Sequence, residues 1–206
     1  MYVKIKDLRY EVNGQVIINN LSVDISEGCK YLLDWPSGTG KTSLLRILFG
    51  FAVPTSGEIF FDGKIAQRND FRNIRKSISY INQHADLHSG VVKEALDEIF
   101  SYPANATIEN PVQKLTELLP QLNLQPEIFT KQSADLSGGE RQRLLFLICK
   151  VLDKPLWLFD EITSGLDIDN KRTVVEMVAK SKQTAIISSH DTVWRENPNF
   201  ISIKLK

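Results

Sequence analysis

An apolar strand, a glycine-rich loop and a helix follow one another near residue 40, and this succession constrains the fold more than any other part of the chain. Residues 31–33 (Tyr-Leu-Leu) predict a short buried strand, and residues 41–49 have the apolar spacing of a helix. The loop between them carries glycines where backbone N–H groups can point inward around an anion. Its residues are Pro36, Ser37, Gly38, Thr39, Gly40, Lys41, Thr42 and Ser43. A strand that enters a helix through such a loop is typical of α/β proteins.

The loop has the composition of a nucleoside triphosphate site. The partial positive charge of the helix N-terminus attracts phosphate, and Lys41 can neutralise the β- and γ-phosphates. The Thr42 hydroxyl can ligate the accompanying Mg²⁺. The full pattern is G-x-x-x-x-G-K-[ST], and Trp35 stands at its first glycine. Taken alone, the loop has an alternative interpretation as a chance G-T-G-K-T string.

Two acids follow a second apolar strand. Residues 156–159 (Leu-Trp-Leu-Phe) predict a buried strand, and Asp160 and Glu161 come directly after it. Open α/β sheets bind ligands at the carboxyl ends of their strands. There Asp160 can hold Mg²⁺ through water, and Glu161 can act as general base towards an attacking water. A strand followed by a solvated acidic turn is the alternative for such a pair.

The string L-S-G-G-E-R-Q-R at residues 136–143 is the most specific in the sequence. Ser137 and Glu140 have the S-x-x-E spacing of a capping box, and Gly138 and Gly139 leave the backbone bare at the start of the helix. A bare helix N-terminus offers a second place for an anion. An ordinary capped helix is the alternative, and it leaves the two glycines unexplained.

Together these strings resemble the ATP-binding cassette (ABC) ATPases over essentially the whole chain. Residues 36–43 resemble the Walker A loop, 136–143 the signature motif, 159–161 the Walker B strand with its glutamate, and 164–167 the D-loop. The resemblance implies ATP and Mg²⁺ as ligands. It assigns Tyr10 and Val16 to adenine, and loop 36–43 with Ser137, Gly138 and Gly139 to ATP. It assigns Thr42, Gln83 and Asp160 to Mg²⁺. The implied catalytic residues are Glu161, His190 and Gln83.

The predicted fold is α/β, a P-loop NTPase (RecA-like) core with an N-terminal antiparallel β-subdomain and an inserted α-helical subdomain. Asn13-Gly14 and Asp62-Gly63 are hairpin signals, and strand patterns alternate with helix patterns after them. Residues 91–124 read as helical with a break at 103–111, and residues 200–205 as an edge strand. The resemblance makes residues 1–206 one ATP-binding domain, with the helical subdomain at about 85–134.

The resemblance also implies the partners. A second copy of the chain forms a head-to-tail homodimer, in which residues 137–139 of one copy cap the ATP on the other copy's loop. A separate integral-membrane permease binds the helical subdomain, and Gln83 lies at its hinge. Hydrolysis then drives transport, while the cargo and its direction depend on the permease.

Composition and hydropathy exclude other classes. Lysine plus arginine total 25, equal to aspartate plus glutamate at 25, so nucleic acid is not expected as a partner. The longest apolar run, residues 144–149, is far shorter than a membrane span, and the first residues do not have the pattern of a signal peptide. We therefore expect a cytoplasmic protein that is peripheral on the inner face of the membrane through its permease.

Two alternatives to a transporter subunit stay open. The chain can be a soluble ABC ATPase that serves a cytosolic or envelope assembly, or a weakly hydrolysing nucleotide-binding module because of Trp35.

A finer resemblance concerns D-E-I-T-S-G-L-D-I-D-N-K at residues 160–171, in which Ile162 replaces a common proline. This run is similar to ATPase subunits of bacterial metal (iron) efflux systems.

The start of the phosphate loop departs from the family pattern. If the position of Trp35 requires a positive φ, a non-glycine residue there costs about 1–2 kcal/mol. The neighbouring Asp34 adds a carboxylate that repels phosphate unless it points away. From these two features we expect a loop that holds ATP less tightly, and a Trp35→Gly variant that binds it better.

Overall fold

The computed structural model describes residues 1–204, which form two β-sheets and the helices around them. The strands are β1 (Val3–Val12), β2 (Gln15–Ile25), β3 (Lys30–Leu33), β4 (Ser56–Phe61), β5 (Lys64–Ile65), β6 (Ile78–Ile81), β7 (Leu156–Asp160), β8 (Thr184–Ser188) and β9 (Phe200–Ile203). The helices are α1 (Lys41–Leu48), α2 (Phe71–Ile74), α3 (Val92–Ser101), α4 (Pro111–Leu118), α5 (Gly138–Leu152), α6 (Ile168–Ala179) and α7 (Thr192–Glu196).

The antiparallel sheet has the order β2-β1-β4-β5. Both predicted hairpins are present, because β1 turns into β2 at Asn13-Gly14 and β4 turns into β5 at Asp62-Gly63. All four turn residues have positive φ, between 48° and 80°, which asparagine, aspartate and glycine tolerate best. This sheet carries the predicted antiparallel patch at the N-terminal side of the chain.

The second sheet is parallel throughout, with the order β6-β7-β8-β3-β9. Its central strands are buried on both faces, and alternate residues enter different cores. Leu158 and Ile186 pack with Leu44 of α1, whereas Trp157 and Phe159 pack with the α5 side of the sheet. Helices on both faces of a parallel sheet confirm the predicted α/β, P-loop NTPase class.

The segment between β6 and β7 is helical, as expected, but its α-helices are shorter than the sequence predicted. The break at 103–111 is present, and it separates α3 from α4. After α4 the chain continues as 3₁₀ turns at Leu119–Leu122 and Pro126–Thr130. Each has a proline in its first turn, and a proline does not allow an α-helix to continue through it from the preceding residues. The short helices α2 and α7 were not predicted from the sequence.

The ends of the elements follow local signals. Ser137 accepts a hydrogen bond from the Glu140 amide at 3.1 Å, and the Glu140 carboxylate accepts one from the Ser137 amide at 2.9 Å, so the predicted capping box starts α5. Strand β9 lies at the edge of its sheet and ends at Ile203; Leu205, the last residue of the predicted edge strand, lies outside the described residues. Within residues 1–204, no helix combines the length and apolar character that a bilayer crossing requires.

Candidate functional site

A cavity of about 610 Å³ opens at the carboxyl ends of the parallel strands, where the phosphate loop and the acidic strand end meet. Its walls come from β2, the loop before α1, the ends of β7 and β8, and the segment after β6. The lining residues are Ile17, Ser37, Gly38, Gly40, Lys41, Thr42, Ser43, Gln83, Asp160, Glu161, Ser164, Ser188, His190 and Asp191. The structure thus brings Gln83, Asp160, Glu161 and His190 to the phosphate loop, as the motifs suggested.

The remaining sequence-predicted residues lie around this cavity or away from it. Tyr10 is half-buried on β1 opposite Ile18, and Val16 is 42% exposed. Ile17, which the sequence did not single out, lines the cavity instead. Pro36 and Thr39 belong to the loop without lining the cavity; the Thr39 hydroxyl donates to the Pro36 carbonyl at 2.7 Å.

The signature string lies elsewhere on the surface. Ser137 and Gly138 are exposed at the start of α5, and neither they nor Gly139 line the cavity of their own chain. The following turn of α5 contacts the D-loop, because the Gln142 amide donates to Ser164 Oγ at 3.2 Å and its oxygen accepts from the Gly165 amide at 3.1 Å. A chain therefore carries its signature residues outside its own nucleotide cavity.

The phosphate loop is closed over its own lysine. Gly40 caps α1 with φ of 99°, and a Cβ there would lie 2.8 Å from Ile17 Cγ2, so only glycine fits. Lys41 Nζ donates to the carbonyls of Trp35 at 2.9 Å and Pro36 at 3.1 Å, and lies 3.0 Å from His190 Nε2. Burial lowers the pKa of this lysine. The ammonium thus contacts two carbonyls of its own loop and one imidazole at the wall of the cavity.

The oxygens beside Lys41 suit a hard divalent cation. Thr42 Oγ1 donates to Asp160 Oδ2 at 2.6 Å, and the exposed Gln83 lines the same cavity. Residues 1–204 hold no cluster of three or more histidine, cysteine or acidic side chains that could cage a metal. One hydroxyl, one carboxylate and one amide fit Mg²⁺, which keeps several waters and takes its remaining ligands from phosphates.

Glu161 is held in a strained position at the end of β7. Its φ of 55° lies in the left-handed region, which costs a non-glycine residue free energy and is seen mainly at functional sites. Its amide donates to the Ser188 carbonyl at 2.8 Å, and its carboxylate accepts from the His190 amide at 3.4 Å. Burial raises the pKa of Glu161, with smaller opposing effects from His190 and Lys41. Such a carboxylate is a better proton acceptor than a fully solvated one.

A buried hydrogen-bond network fixes the segment that follows His190. The Thr163 hydroxyl donates to Asp191 at 2.5 Å and accepts from Trp194 Nε1 at 3.0 Å. Lys171 of α6 pairs with the other oxygen of Asp191. The network joins the segment after Glu161 to the segment after His190, so that these two side chains keep one mutual arrangement.

The premise about Trp35 is wrong in this structure. Trp35 is not among the non-glycine residues with positive φ, so the strain that would have weakened the loop is absent. The indole is 2% exposed in the core beneath α1, and its Nε1 donates to the Ile203 carbonyl of β9 at 2.8 Å. Asp34 pairs with Arg195 at 2.7 Å, which offsets its charge near the phosphate site.

Four cavity residues had no individual role assigned from the sequence, namely Ile17, Ser164, Ser188 and Asp191. Ser164 belongs to the D-loop string, and Ser188 and Asp191 belong to the string S-S-H-D at residues 188–191, which resembles the switch region of the same family. Ile17 lies outside every motif, next to Val16.

A comparison with protein families agrees with this site. The sequence pattern described as "ABC transporter" matches residues 18–164, from within β2 to the first residue of the D-loop string. The chain belongs to the ABC transporter family. ATP-binding domains of this family are ATPases, and we assign ATP binding and ATP hydrolysis to this chain on that basis.

Curated relatives of this ABC ATPase include transporter subunits. The probable iron export ATP-binding protein FetA of Escherichia coli K12 is 32% identical over 176 residues, which cover 85% of this chain and 77% of FetA. The transport/processing ATP-binding protein ComA of Streptococcus pneumoniae R6 is 27% identical over 90% of this chain, which spans only 26% of ComA.

Solved structures show the same fold. The dimeric structure of MJ0796, a bacterial ABC transporter cassette, has a TM-score of 0.82 at 24% identity and covers 98% of this chain and 94% of that one. A bacterial Atm1-family ABC exporter with ATP bound has a TM-score of 0.83 at 21% identity and covers all of this chain, which spans 38% of that protein.

Proposed function

We propose that this ABC ATPase forms a head-to-tail homodimer around two ATP-Mg²⁺ and drives a separate membrane permease. The observation that carries the proposal is the division of the site. Lys41, Thr42, Asp160 and Glu161 surround one cavity, whereas the signature residues 137–139 of the same chain lie outside it. A second copy supplies its exposed helix N-terminus to close the cavity over the γ-phosphate.

The proposed chemistry assigns one task to each side chain. Lys41 leaves the Trp35 and Pro36 carbonyls and binds the β- and γ-phosphates. Thr42, Asp160 and Gln83 hold Mg²⁺, which neutralises phosphate charge when it is bound. Glu161 accepts a proton from the water as the water oxygen forms a bond to the γ-phosphorus. The bond from the γ-phosphorus to the bridging β-phosphate oxygen breaks, and ADP and inorganic phosphate are the products.

The other proposed contacts surround this centre. His190 holds the γ-phosphate from the opposite side to the loop, and its amide keeps Glu161 in place. Tyr10 stacks on adenine, with Val16 next to it; both lie near Ile17, which lines the cavity. The backbone N–H groups of residues 37–43 at the α1 N-terminus donate to the phosphates, and Gly38 and Gly40 both have the positive φ that such a loop requires.

Dimerisation is tested with a Glu161→Gln variant, which keeps the shape of the side chain and removes the base. With ATP and Mg²⁺ this variant is expected to lose turnover by about 10²–10⁴-fold. It should then elute as a dimer of about twice the 23.4 kDa chain mass in light scattering. Undiminished turnover would show that Glu161 is not the base.

The signature residues are tested in the same background. Adding Ser137→Arg places a bulky side chain where the partner's γ-phosphate is to bind, and is expected to abolish the ATP-dependent dimer. The matched control is Ser101→Arg, at an exposed serine on α3, which should leave the dimer intact. A Ser137→Arg, Glu161→Gln protein that still dimerises with ATP would refute the head-to-tail arrangement.

An exposed apolar patch supports a permease partner. Phe51 and Val53 follow α1 and are 58% and 68% exposed. The ring of Phe51 packs edge-to-face on that of Phe49, with 4.7 Å between the ring centroids. Its centroid lies 6.3 Å from that of Tyr80 on β6, the strand that leads to Gln83. An aromatic patch next to the Gln83 segment is a suitable surface for a membrane subunit whose movement is coupled to the site.

We expect Phe51→Ser to reduce co-purification with membranes and to leave ATP affinity unchanged. Ile201→Ser removes an apolar residue of similar exposure, 49%, from β9 and serves as the control. Equal membrane recovery for wild type and Phe51→Ser would contradict this docking surface. A chain found only with cytosolic partners would instead support the soluble, non-transport alternative.

Residues 85–134, which contain α3 and α4, act in this proposal as the helical subdomain that transmits movement between the nucleotide site and the permease. The protein is cytoplasmic and peripheral on the membrane. FetA of E. coli is named for iron export, so metal export is the first transport reaction to test. Loss of metal tolerance on deletion of the gene supports it. Unchanged tolerance and metal content would remove it.

A further inference from the structure

A serine hydroxyl without a partner lies in the nucleotide cavity. Ser188, the last residue of β8, is 1% exposed, and its Oγ makes no hydrogen bond among the residues that the structure describes. It lines the cavity together with Lys41, Thr42 and Asp160. An unpaired buried hydroxyl destabilises a fold, and this one borders a cavity from which a bound partner can reach it.

The register of the sheet places this hydroxyl beside Asp160. Ser188 and Asp160 are paired residues of the neighbouring parallel strands β8 and β7, which lie about 5 Å apart. Two residues earlier, Ile186 and Leu158 both pack in the core beneath α1, and side chains of a strand share a face at every second position. Ser188 and Asp160 therefore face α1, whose Thr42 already donates to Asp160.

The other neighbour of Ser188 offers no polar group. On β3 the paired residue is Leu33, which is fully buried and apolar. Because Ser188 itself is almost inaccessible, its partner has to be as small as a water molecule and has to sit on the Asp160 side. A serine hydroxyl can both donate and accept there.

We propose that Ser188 is a positioning residue of the Mg²⁺-ATP site, and that its hydroxyl binds a water of the metal's coordination shell together with Asp160. This inference rests on the proposed function. Mg²⁺ in such sites keeps several waters, and side chains that bind those waters set the affinity for the metal without touching it. The hydroxyl is thus expected to act on metal binding and not on ATP binding alone.

The test measures how much Mg²⁺ tightens nucleotide binding. The dissociation constant of a non-hydrolysable ATP analogue is determined by calorimetry in EDTA and in saturating Mg²⁺. The coupling is the constant in EDTA divided by the constant in Mg²⁺. Ser188→Ala and Ser188→Val should reduce this ratio about 5- to 10-fold and leave the constant in EDTA unchanged. Ser188→Thr, which has the volume of valine but keeps the hydroxyl, should retain the wild-type ratio.

Two controls separate this role from packing. Ser79 is a buried serine on β6, which is separated from β8 by β7, and it lies next to the Cys149 thiol and outside the cavity. Ser79→Ala should keep the full coupling. The melting temperature of nucleotide-free Ser188→Ala should equal or exceed that of wild type, because the substitution removes an unpaired buried hydroxyl. A lower melting temperature with unchanged coupling would assign Ser188 to packing and overturn the inference.

The outcomes distinguish the two proposals. Equal coupling in wild type, Ser188→Ala and Ser188→Val overturns the role of Ser188 and leaves the proposed function standing. An equal loss of affinity in EDTA and in Mg²⁺ also overturns it, since the hydroxyl then contacts nucleotide or shapes the loop. A wild-type protein that binds the analogue under neither condition overturns both proposals.

Discussion

Replacing Trp35 tests whether the residue at the first glycine of the phosphate loop is a defect or a structural support. The indole is 2% exposed in the core beneath α1 and donates to the Ile203 carbonyl at 2.8 Å. Removing a buried tryptophan side chain costs about 3–5 kcal/mol, and a glycine adds about 0.4–1 kcal/mol of unfolded-chain entropy. We therefore expect Trp35→Gly to lower the free energy of unfolding by about 3–6 kcal/mol.

This loss is large beside the total stability of a domain, about 5–15 kcal/mol. For a chain of this size each kcal/mol shifts the melting temperature by about 2–4 °C, so thermal unfolding should show a decrease of about 7–24 °C. Fluorescent ATP-analogue titration of the folded protein should show equal or weaker binding than wild type. A variant that keeps the wild-type melting temperature and binds ATP more tightly would refute this account and restore the strain interpretation.

A matched pair isolates the hydrogen bond from the packing. Trp35→Phe and Trp157→Phe remove the same atoms from buried indoles. Of these two, the Trp35 N–H has a hydrogen-bond partner, whereas the Trp157 N–H has none within residues 1–204. Trp35→Phe removes this bond and leaves the Ile203 carbonyl with the Asp34 amide at 3.3 Å, so the loss should be about 0.5–1.5 kcal/mol larger than for Trp157→Phe. Urea unfolding of both variants measures this difference. Equal losses would show that the bond to β9 contributes nothing.

Three further outcomes follow from single contacts. Gly40→Ala should lower the free energy of unfolding by about 1–2 kcal/mol because of its positive φ. It should also weaken ATP binding, because the added Cβ meets Ile17 Cγ2 at 2.8 Å; melting curves and analogue titration measure the two effects. Hydrogen bonds from Lys131 and Ser137 lower the pKa of Glu140 to about 2, below its unfolded value of 4.5. The stability from Glu140 is therefore complete above about pH 4.5 and lost as the pH falls towards 2. Glu140→Gln should remove about 1 kcal/mol at neutral pH and flatten that acid limb in urea unfolding at several pH values. Lys30→Met should cost about 2–3 kcal/mol in the same assay, because the buried ammonium donates to three backbone carbonyls, those of residues 28, 181 and 183.

Motifs with strict backbone requirements were readable from the sequence. The turns at residues 13–14 and 62–63, the capping box at Ser137 and the phosphate loop each depend on a few adjacent residues, and each is present in the structure. Helix ends were less predictable, since the 3₁₀ turns after α4 depend on Pro120 and Pro126 together with the packing around them. Long-range pairing was not predictable in detail, because strand order depends on contacts between residues far apart in the chain.

The sequence by itself determined the family, the α/β fold and the chemical identity of the nucleotide-site residues, because local strings fix loop shape, helix starts and the charges they carry. Only the tertiary structure decided that Trp35 is unstrained and bonded to β9, that Asp34 is paired with Arg195, and that Ser188 faces Asp160 across two strands. Each of these depends on a partner at least 28 residues away, and no local pattern encodes which side chain will arrive there.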